Sequence, residues 1–285
     1  MSEKKTGLIL EGGAMRGMYT AGVIDVMMAN GITFDGMVGV SAGAAFGCNY
    51  KSHQIGRVIR YNMLLSHDWR YCSIASWLLT GDLYGGKYDY HTLPERLDVM
   101  DRKTYDNNPM RFFAVCTDVD TGEPVYAECP YLDNQSLEYM RASASMPAAS
   151  RPVKVDGRRL LDGGVSDPIP TEWMALQGYN RNVVVLTQPL DYVKKPQKDM
   201  KLLSFLLRDE PAILKKLSTR HVSYNERTAL IRKQEEEGKL FVIRPKHALQ
   251  IGSASHDPLK KQEVYRHGVE VMEERIEDLK KYLAD

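Results

Sequence analysis

The chain has 285 residues and a formal net charge of +1, so it can bury a sizeable core and shows no electrostatic footprint of a nucleic-acid partner. Apolar residues make up 43% and charged residues 26%, the balance of a globular protein rather than a disordered one. No apolar run approaches the roughly 20 residues of a membrane-spanning helix.

The opening Met1-Ser2-Glu3-Lys4-Lys5-Thr6 has neither the apolar stretch nor the small-residue cleavage site of a secretory leader, and the expected location is cytoplasmic. Cys48, Cys72, Cys116 and Cys129 lack Cys-x-x-Cys spacing and histidine neighbours. They read as buried free thiols rather than as disulfides or a zinc site.

Residues 6–10 form a short strand-like run. Glu11-Gly12-Gly13-Ala14-Met15-Arg16-Gly17 turns the chain into a helical pattern over 18–30, with Gly31 as its stop. A glycine-rich turn between strand and helix bares backbone N–H groups that suit an anion. It does not end in Gly-Lys-Ser/Thr, as a P-loop would, and Ala14 stands where a dinucleotide fingerprint has its second glycine. An oxyanion hole needs only N–H groups beside a nucleophile. A plain tight turn explains the same glycines on backbone grounds.

Residues 34–40 give the second strand, which ends in Gly39-Val40-Ser41-Ala42-Gly43. A helix over 41–51 and further helical pattern over 54–65 follow. Strand, sharp turn and helix around Gly-x-Ser-x-Gly are the signature of a nucleophile elbow, with Gly39 and Gly43 letting strand and helix approach closely. Residues 67–90 scatter Trp69, Tyr71, Trp77, Tyr84, Tyr88 and Tyr90 among glycines, as a substrate groove or as packing for a loop-rich layer.

A short helix is expected over 93–100, a strand over 111–118 hairpinned to 124–128, and a helix over 136–145. Residues 153–161 read as a hairpin around Asp156-Gly157, leading into Asp162-Gly163-Gly164. A carboxylate at a strand's carboxyl end lies on the sheet edge where open α/β folds place their ligands. A helix over 171–178 and a strand over 182–187 come next. In 191–220 basic residues outnumber acidic ones and alternate with Leu202, Leu203, Phe205, Leu206 and Leu207. That pattern fits a membrane-facing surface, or a solvated helix pair broken near Pro211. A charged helix over 220–237, a strand over 239–244 and an amphipathic helix over 258–283 complete the chain. With no linker in view, residues 1–190 read as the catalytic core and 191–285 as an elaboration packed on the same domain.

A serine hydroxyl needs a base to take its proton. In a Ser-acid-His order that base is one of His221, His247, His256 and His267, none of which has a distinctive setting. Alternatively Asp162 takes the proton directly, its basicity raised by a poorly hydrated site.

Three stretches in one order, Gly12-Gly13-Ala14-Met15-Arg16-Gly17, Gly39-Val40-Ser41-Ala42-Gly43 and Asp162-Gly163-Gly164, resemble the patatin-like phospholipase family in its bacterial branch. Ala142-Ser143-Ala144-Ser145-Met146-Pro147 resembles a further block of that family. The likeness spans about residues 6–190 and departs at Ala14, where the family has a third glycine. It implies a three-layer α/β/α fold with a mainly parallel sheet. It also implies a Ser41–Asp162 dyad and an oxyanion hole drawn from Gly12, Gly13, Ala14, Arg16 and Gly17. Gly39, Gly43, Gly163 and Gly164 are carried over as motif glycines. The substrate implied is a lipid or other carboxylic ester, with no cofactor and no metal. The competing readings are a Ser-His-Asp esterase and a lipid-binding regulatory module that meets the membrane through 191–220.

Overall fold

The computed structural model describes residues 4–284, so Met1, Ser2 and Glu3, the first half of the stretch read as lacking a leader, lie outside it. In chain order the elements are β1 (Thr6–Leu10), α1 (Gly17–Ala29), β2 (Gly36–Val40), α2 (Ala42–Lys51), α3 (Arg57–Leu64) and α4 (Ile74–Thr80). Then come α5 (Arg102–Asn107), β3 (Arg111–Asp118), β4 (Pro124–Glu128), α6 (Asn134–Ser143), β5 (Val153–Val155) and β6 (Arg158–Asp162). The chain closes with α7 (Thr171–Leu176), β7 (Arg181–Val185), α8 (Met200–Leu206), α9 (Pro211–Glu236), β8 (Leu240–Ile243) and α10 (Pro258–Ala284).

The sheet runs β5-β6-β3-β2-β1-β7-β8, with β4 on the other edge of β3. From β3 to β8 all neighbours are parallel, while β4, β5 and β6 join antiparallel. Successive side chains of a strand face opposite sides of a sheet. Leu8 and Leu10 therefore enter one core with Met18, Ile24 and Met272 from α1 and α10. Ile9 enters the other with Met174 of α7 and Tyr224 and Ile231 of α9. Helices on both faces of a mainly parallel sheet make the three-layer α/β/α architecture. The C-terminal part belongs to it directly, since β8 extends the sheet beside β7 and α10 packs along α1.

One edge of β3 is shared by two strands in succession. β2 pairs with it as far as Val40 opposite Val115, and β6 takes over at Asp162 opposite Cys116. The end of β2 and the end of β6 are thereby placed next to each other by the register of a third strand.

Local departures from the expected elements have physical causes. The helix expected over 93–100 is a wide π-type segment, Tyr88–Leu97, with Pro94 inside it. Pro94 has no N–H to give an α-helical ladder, and the chain leaves the helix before Met100. The helix pair read over 191–220 is present as α8 and α9, with its break over 207–210 just before Pro211. Pro211 opens α9, a single 26-residue helix that continues through Arg220, so the charged helix expected over 220–237 is its second half. Proline is harmless in a first turn, where its missing N–H would have no helical partner. α4 lies within the aromatic-rich stretch and was not expected. All four cysteines are buried and free. Among the described residues no helix is long and apolar enough to cross a membrane.

Candidate active site

Ser41 sits between β2 and α2 with φ 55° and ψ −123°. A non-glycine residue held there costs on the order of 1–3 kcal/mol and persists only where its surroundings enforce it. The enforcement is visible. The Ser41 N–H donates to Ser143 Oγ at 2.9 Å, and Ser143 Oγ donates in turn to the Val115 carbonyl at 2.6 Å. The turn also needs glycine on both flanks. A Cβ on Gly39 would lie 2.5 Å from the Gly43 carbonyl oxygen, and one on Gly43 would lie 2.3 Å from the Leu10 carbonyl oxygen.

The Ser41 hydroxyl donates to Asp162 Oδ2 at 2.6 Å, across 121 positions of sequence. The other carboxylate oxygen, Oδ1, accepts the Gly164 N–H at 2.7 Å. The Asp162 N–H donates to the Ser145 carbonyl and its own carbonyl accepts from Thr117 Oγ1, both at 2.8 Å. Gly163 runs against β3 so closely that a Cβ would lie 2.1 Å from the Val115 carbonyl oxygen. Burial pushes the Asp162 carboxyl above its ordinary value, partly offset by the Ser41 and Gly164 hydrogen bonds and the Arg220 guanidinium. A buried carboxylate of raised pKa is a better proton acceptor than one in water.

The glycine-rich turn passes directly beside Ser41, where a Cβ on Gly12 would lie 2.7 Å from the Ser41 Cβ. Not all five residues of the expected donor set are free to serve. The Arg16 N–H donates to the Gly13 carbonyl, and the Gly17 N–H to the carbonyls of Ala14 and Met15. Those two amides are spent in the short turn that opens α1. For Gly12, Gly13 and Ala14 no chain acceptor is found among the described residues. Ala14 adopts φ 48°, a conformation that alanine takes at a cost. Beneath the turn, Glu11 is anchored by Tyr224 Oη at 2.6 Å and the Thr187 N–H at 2.6 Å, and Thr187 Oγ1 also donates to the Gly12 carbonyl at 3.0 Å. Tyr224 lies on α9, so the C-terminal part braces this loop.

Residues 8–174 match the family model for patatin-like phospholipase. The chain belongs to the patatin-like phospholipase family, and with it to the lipid acyl hydrolases. Residues 210–284 match a model described as a domain of unknown function, DUF6363. The uncharacterized protein YjjU of Escherichia coli (strain K12) is 29% identical over 276 residues, covering 87% of this chain and 71% of that protein. Lysophospholipase NTE1 of Candida glabrata is 27% identical over 188 residues, covering 63% of this chain but only 10% of that protein. The uncharacterized NTE family protein Mb1092c of Mycobacterium bovis is 28% identical over 185 residues, covering 65% of this chain and 49% of that protein.

Two cavities of this patatin-like phospholipase meet at Ser41, with Ala14 and Met146 in the wall of both. One, of about 960 Å³ including its mouth, runs past Ala45, Phe46, Tyr61, Tyr71, Tyr90 and Met140. Tyr84 also lines it, so part of the aromatic-rich stretch forms a groove wall, whereas Trp69 and Trp77 face outward. Within this cavity Asp89 leaves Oδ1 without a partner, and burial drives its carboxyl well up, which favours the neutral acid. The other cavity, of about 1080 Å³ including open space, is polar and passes Arg16, Asp162, Lys194, Gln197 and Arg220.

Among the described residues no histidine lines either cavity. His267 packs against His247 with ring centres 4.4 Å apart and planes tilted by 41°, and His256 Nδ1 lies 2.9 Å from the Ser66 carbonyl oxygen. His221 follows Arg220 on α9, and its Nδ1 is buried without a partner. Sequence reasoning missed Arg220, whose Nε donates to the Gly164 carbonyl at 2.5 Å and which bears on Asp162 electrostatically. It also gave no role to the 142–147 block, which holds Ser41 through Ser143 and Asp162 through Ser145. The sequence trace of that clamp is the Ala142-Ser143-Ala144-Ser145 spacing within the block that resembles the family.

Proposed function

We propose that this chain is a serine hydrolase of lipid acyl esters, of phospholipase A, lysophospholipase or esterase type, working through Ser41 and Asp162. The 2.6 Å hydrogen bond from the serine hydroxyl to a buried carboxylate carries this reading. Ser41 Oγ attacks the ester carbonyl as its proton passes to Asp162 Oδ2. The carbonyl oxygen takes the negative charge and is met by the N–H groups of Gly12, Gly13 and Ala14, each such donor being worth roughly 10²–10³ in turnover. Asp162 returns the proton to the departing alkoxide, which leaves an acyl ester on Ser41. A water then enters, gives its proton to Asp162 and attacks the acyl carbon. Collapse of that second adduct, with the proton returned to Ser41, frees the carboxylic acid. The apolar cavity suits the acyl chain, since burying each methylene contributes about 0.8 kcal/mol. The organisation that fits is a catalytic core over 1–190 with 191–285 as its C-terminal elaboration, working in the cytoplasm.

A fluorophosphonate probe tests this reading: mass spectrometry of the labelled protein should find it on Ser41. Label on another residue, or none together with no turnover of p-nitrophenyl butyrate, defeats the proposal.

The 191–220 stretch is read as a transient contact with the membrane surface. α8 buries none of its residues, and Leu202, Phe205 and Leu206 stand exposed beside Lys201 and Arg208. Apolar side chains flanked by cations are what an anionic lipid surface takes up. Leu203 of the same helix lines the polar cavity, which supports a contact close to the site.

A further inference from the structure

The polar cavity beside Ser41 is lined by three cations from three separate elements. Arg16 comes from the turn before α1, Lys194 from the segment after β7, and Arg220 from α9. Among the described residues none of the three makes an ion pair with a carboxylate, although Arg16 buries its Nε without a partner. Lys194 Nζ rests over the Tyr224 ring, 4.8 Å from its centre. Burial, and then the positive charges of Arg220 and Arg16 against the opposing pull of Glu11, bring the Lys194 ammonium down to about 8. The two acids in the same wall are already engaged. Glu11 is held by Tyr224 and Thr187, and Asp162 by Ser41 and Gly164. Three cations face two carboxylates that are already held by hydrogen bonds, and the excess positive charge of the wall suits an anionic ligand.

We propose that Lys194, Arg220 and Arg16 form a headgroup subsite for a phosphate monoester, so that the preferred substrates are acyl esters of glycerol phosphate and not choline or uncharged esters. The proposal rests on the hydrolase reading and adds the substrate class to it. The two cavities divide the substrate at the scissile ester: the acyl chain goes to the aromatic side and the glycerol phosphate to the basic side. A dianionic phosphate is opposite in charge to all three side chains. A phosphocholine headgroup offers only a monoanionic diester and adds its quaternary ammonium as a fourth cation, and an uncharged glycerol offers the three no anion at all. Two of the three cations come from beyond residue 190, so headgroup choice is a task of the C-terminal elaboration.

The test is kcat/KM for 1-oleoyl lysophosphatidate, 1-oleoyl lysophosphatidylcholine and 1-monoolein, each below its critical micelle concentration, with wild type, Lys194→Gln, Lys194→Glu and Arg220→Gln. Wild type should favour lysophosphatidate at least tenfold over the other two. Lys194→Gln should cut that ratio about tenfold, as the loss of one charge-assisted contact does, and Lys194→Glu should cut it further. Because Arg220 also holds the Gly164 carbonyl, Lys194→Glu with an unchanged circular dichroism spectrum is the deciding variant. A flat headgroup profile, or a ratio indifferent to Lys194→Glu, overturns the subsite. Glycerol 3-phosphate should inhibit p-nitrophenyl butyrate hydrolysis competitively and more strongly than inorganic phosphate. If inorganic phosphate inhibits as well and lysophosphatidate is not preferred, the ligand is a free anion and the headgroup assignment falls. Turnover of p-nitrophenyl butyrate separates the two readings: with it, a flat profile removes only the subsite. Without it the hydrolase reading falls, and calorimetric binding of glycerol 3-phosphate, weakened by Lys194→Glu, still reports on the subsite.

Discussion

Ser143 holds Ser41 by the backbone: its hydroxyl accepts the Ser41 N–H at 2.9 Å and passes its own proton to the Val115 carbonyl at 2.6 Å. One buried hydroxyl thus ties α6 to the strained turn and to β3. Ser143→Ala should leave the Ser41 N–H unpaired, at a cost of about 1–3 kcal/mol in stability. It should also lower kcat on p-nitrophenyl butyrate about tenfold or more while KM changes little, because positioning is lost and binding surface is not. Ser143→Thr, which keeps the hydroxyl, should recover part of kcat. Equal loss in both variants would mean that Ser143 acts only through packing.

Ser41→Ala and Asp162→Asn should each reduce ester turnover by 10²-fold or more, with unchanged circular dichroism. A general base contributes roughly 10²–10⁴-fold, and a missing nucleophile costs at least as much. Alanine at His221, His247, His256 or His267 should leave turnover within a few-fold of wild type. An essential histidine among the four would restore the triad reading.

Asp162 sets a pH signature with a definite sign. Its folded pKa is raised by burial, so the folded chain holds that proton to higher pH than the unfolded one does. The stability it contributes is complete below the unfolded pKa and is lost as pH rises through the folded pKa. At neutral pH the carboxylate therefore costs stability. Asp162→Asn should melt higher than wild type at pH 8, by the order of a few degrees, and the gap should close toward pH 4. In wild type, kcat/KM should fall on the acid side with a midpoint above the ordinary 3.8. Differential scanning fluorimetry and a pH–rate profile measure the two. A melting gap that widens toward acid would reverse the sign.

Gly12→Ala tests the loop. The added Cβ would lie 2.7 Å from the Ser41 Cβ and 2.8 Å from the Val40 carbonyl oxygen, so backbone must shift. Overpacking of this kind costs about 1–3 kcal/mol, and displacing oxyanion donors should lower kcat by roughly 10²-fold. Normal kcat in a folded Gly12→Ala protein would remove the loop from the mechanism.

The exposed face of α8 gives a prediction about lipid surfaces. Replacing Leu202 and Phe205 together by Asp should reduce co-sedimentation with phosphatidylglycerol vesicles severalfold. Turnover of vesicle-borne substrate should fall more than turnover of p-nitrophenyl butyrate. Equal sedimentation of the double variant and wild type would place membrane contact elsewhere.

The sequence by itself determined the local pieces. Gly39 and Gly43 around Ser41, the turn at Gly12-Gly13, and Asp162 at a strand end before Gly163-Gly164 were all legible. Each is a short-range event, dictated by the lack of a Cβ or by a strand running into a tight turn. Period-two and period-3.6 patterns gave most elements for the same reason, and failed at Tyr88–Leu97, where Pro94 interrupts the helical ladder. Only the tertiary structure decided what meets what. Val40 pairs with Val115 and Asp162 with Cys116, one residue further along the same edge of β3. That register brings hydroxyl and carboxylate together, and no spacing in the sequence encodes it. Lys194 is held at the site by backbone hydrogen bonds with the Asn225 side chain of α9, and Arg220 and Tyr224 reach it because α9 packs on the sheet face that bears Ile9 and Val40. Their own neighbours read as an ordinary charged helix, since the partners that make them matter are supplied by chain far away in sequence.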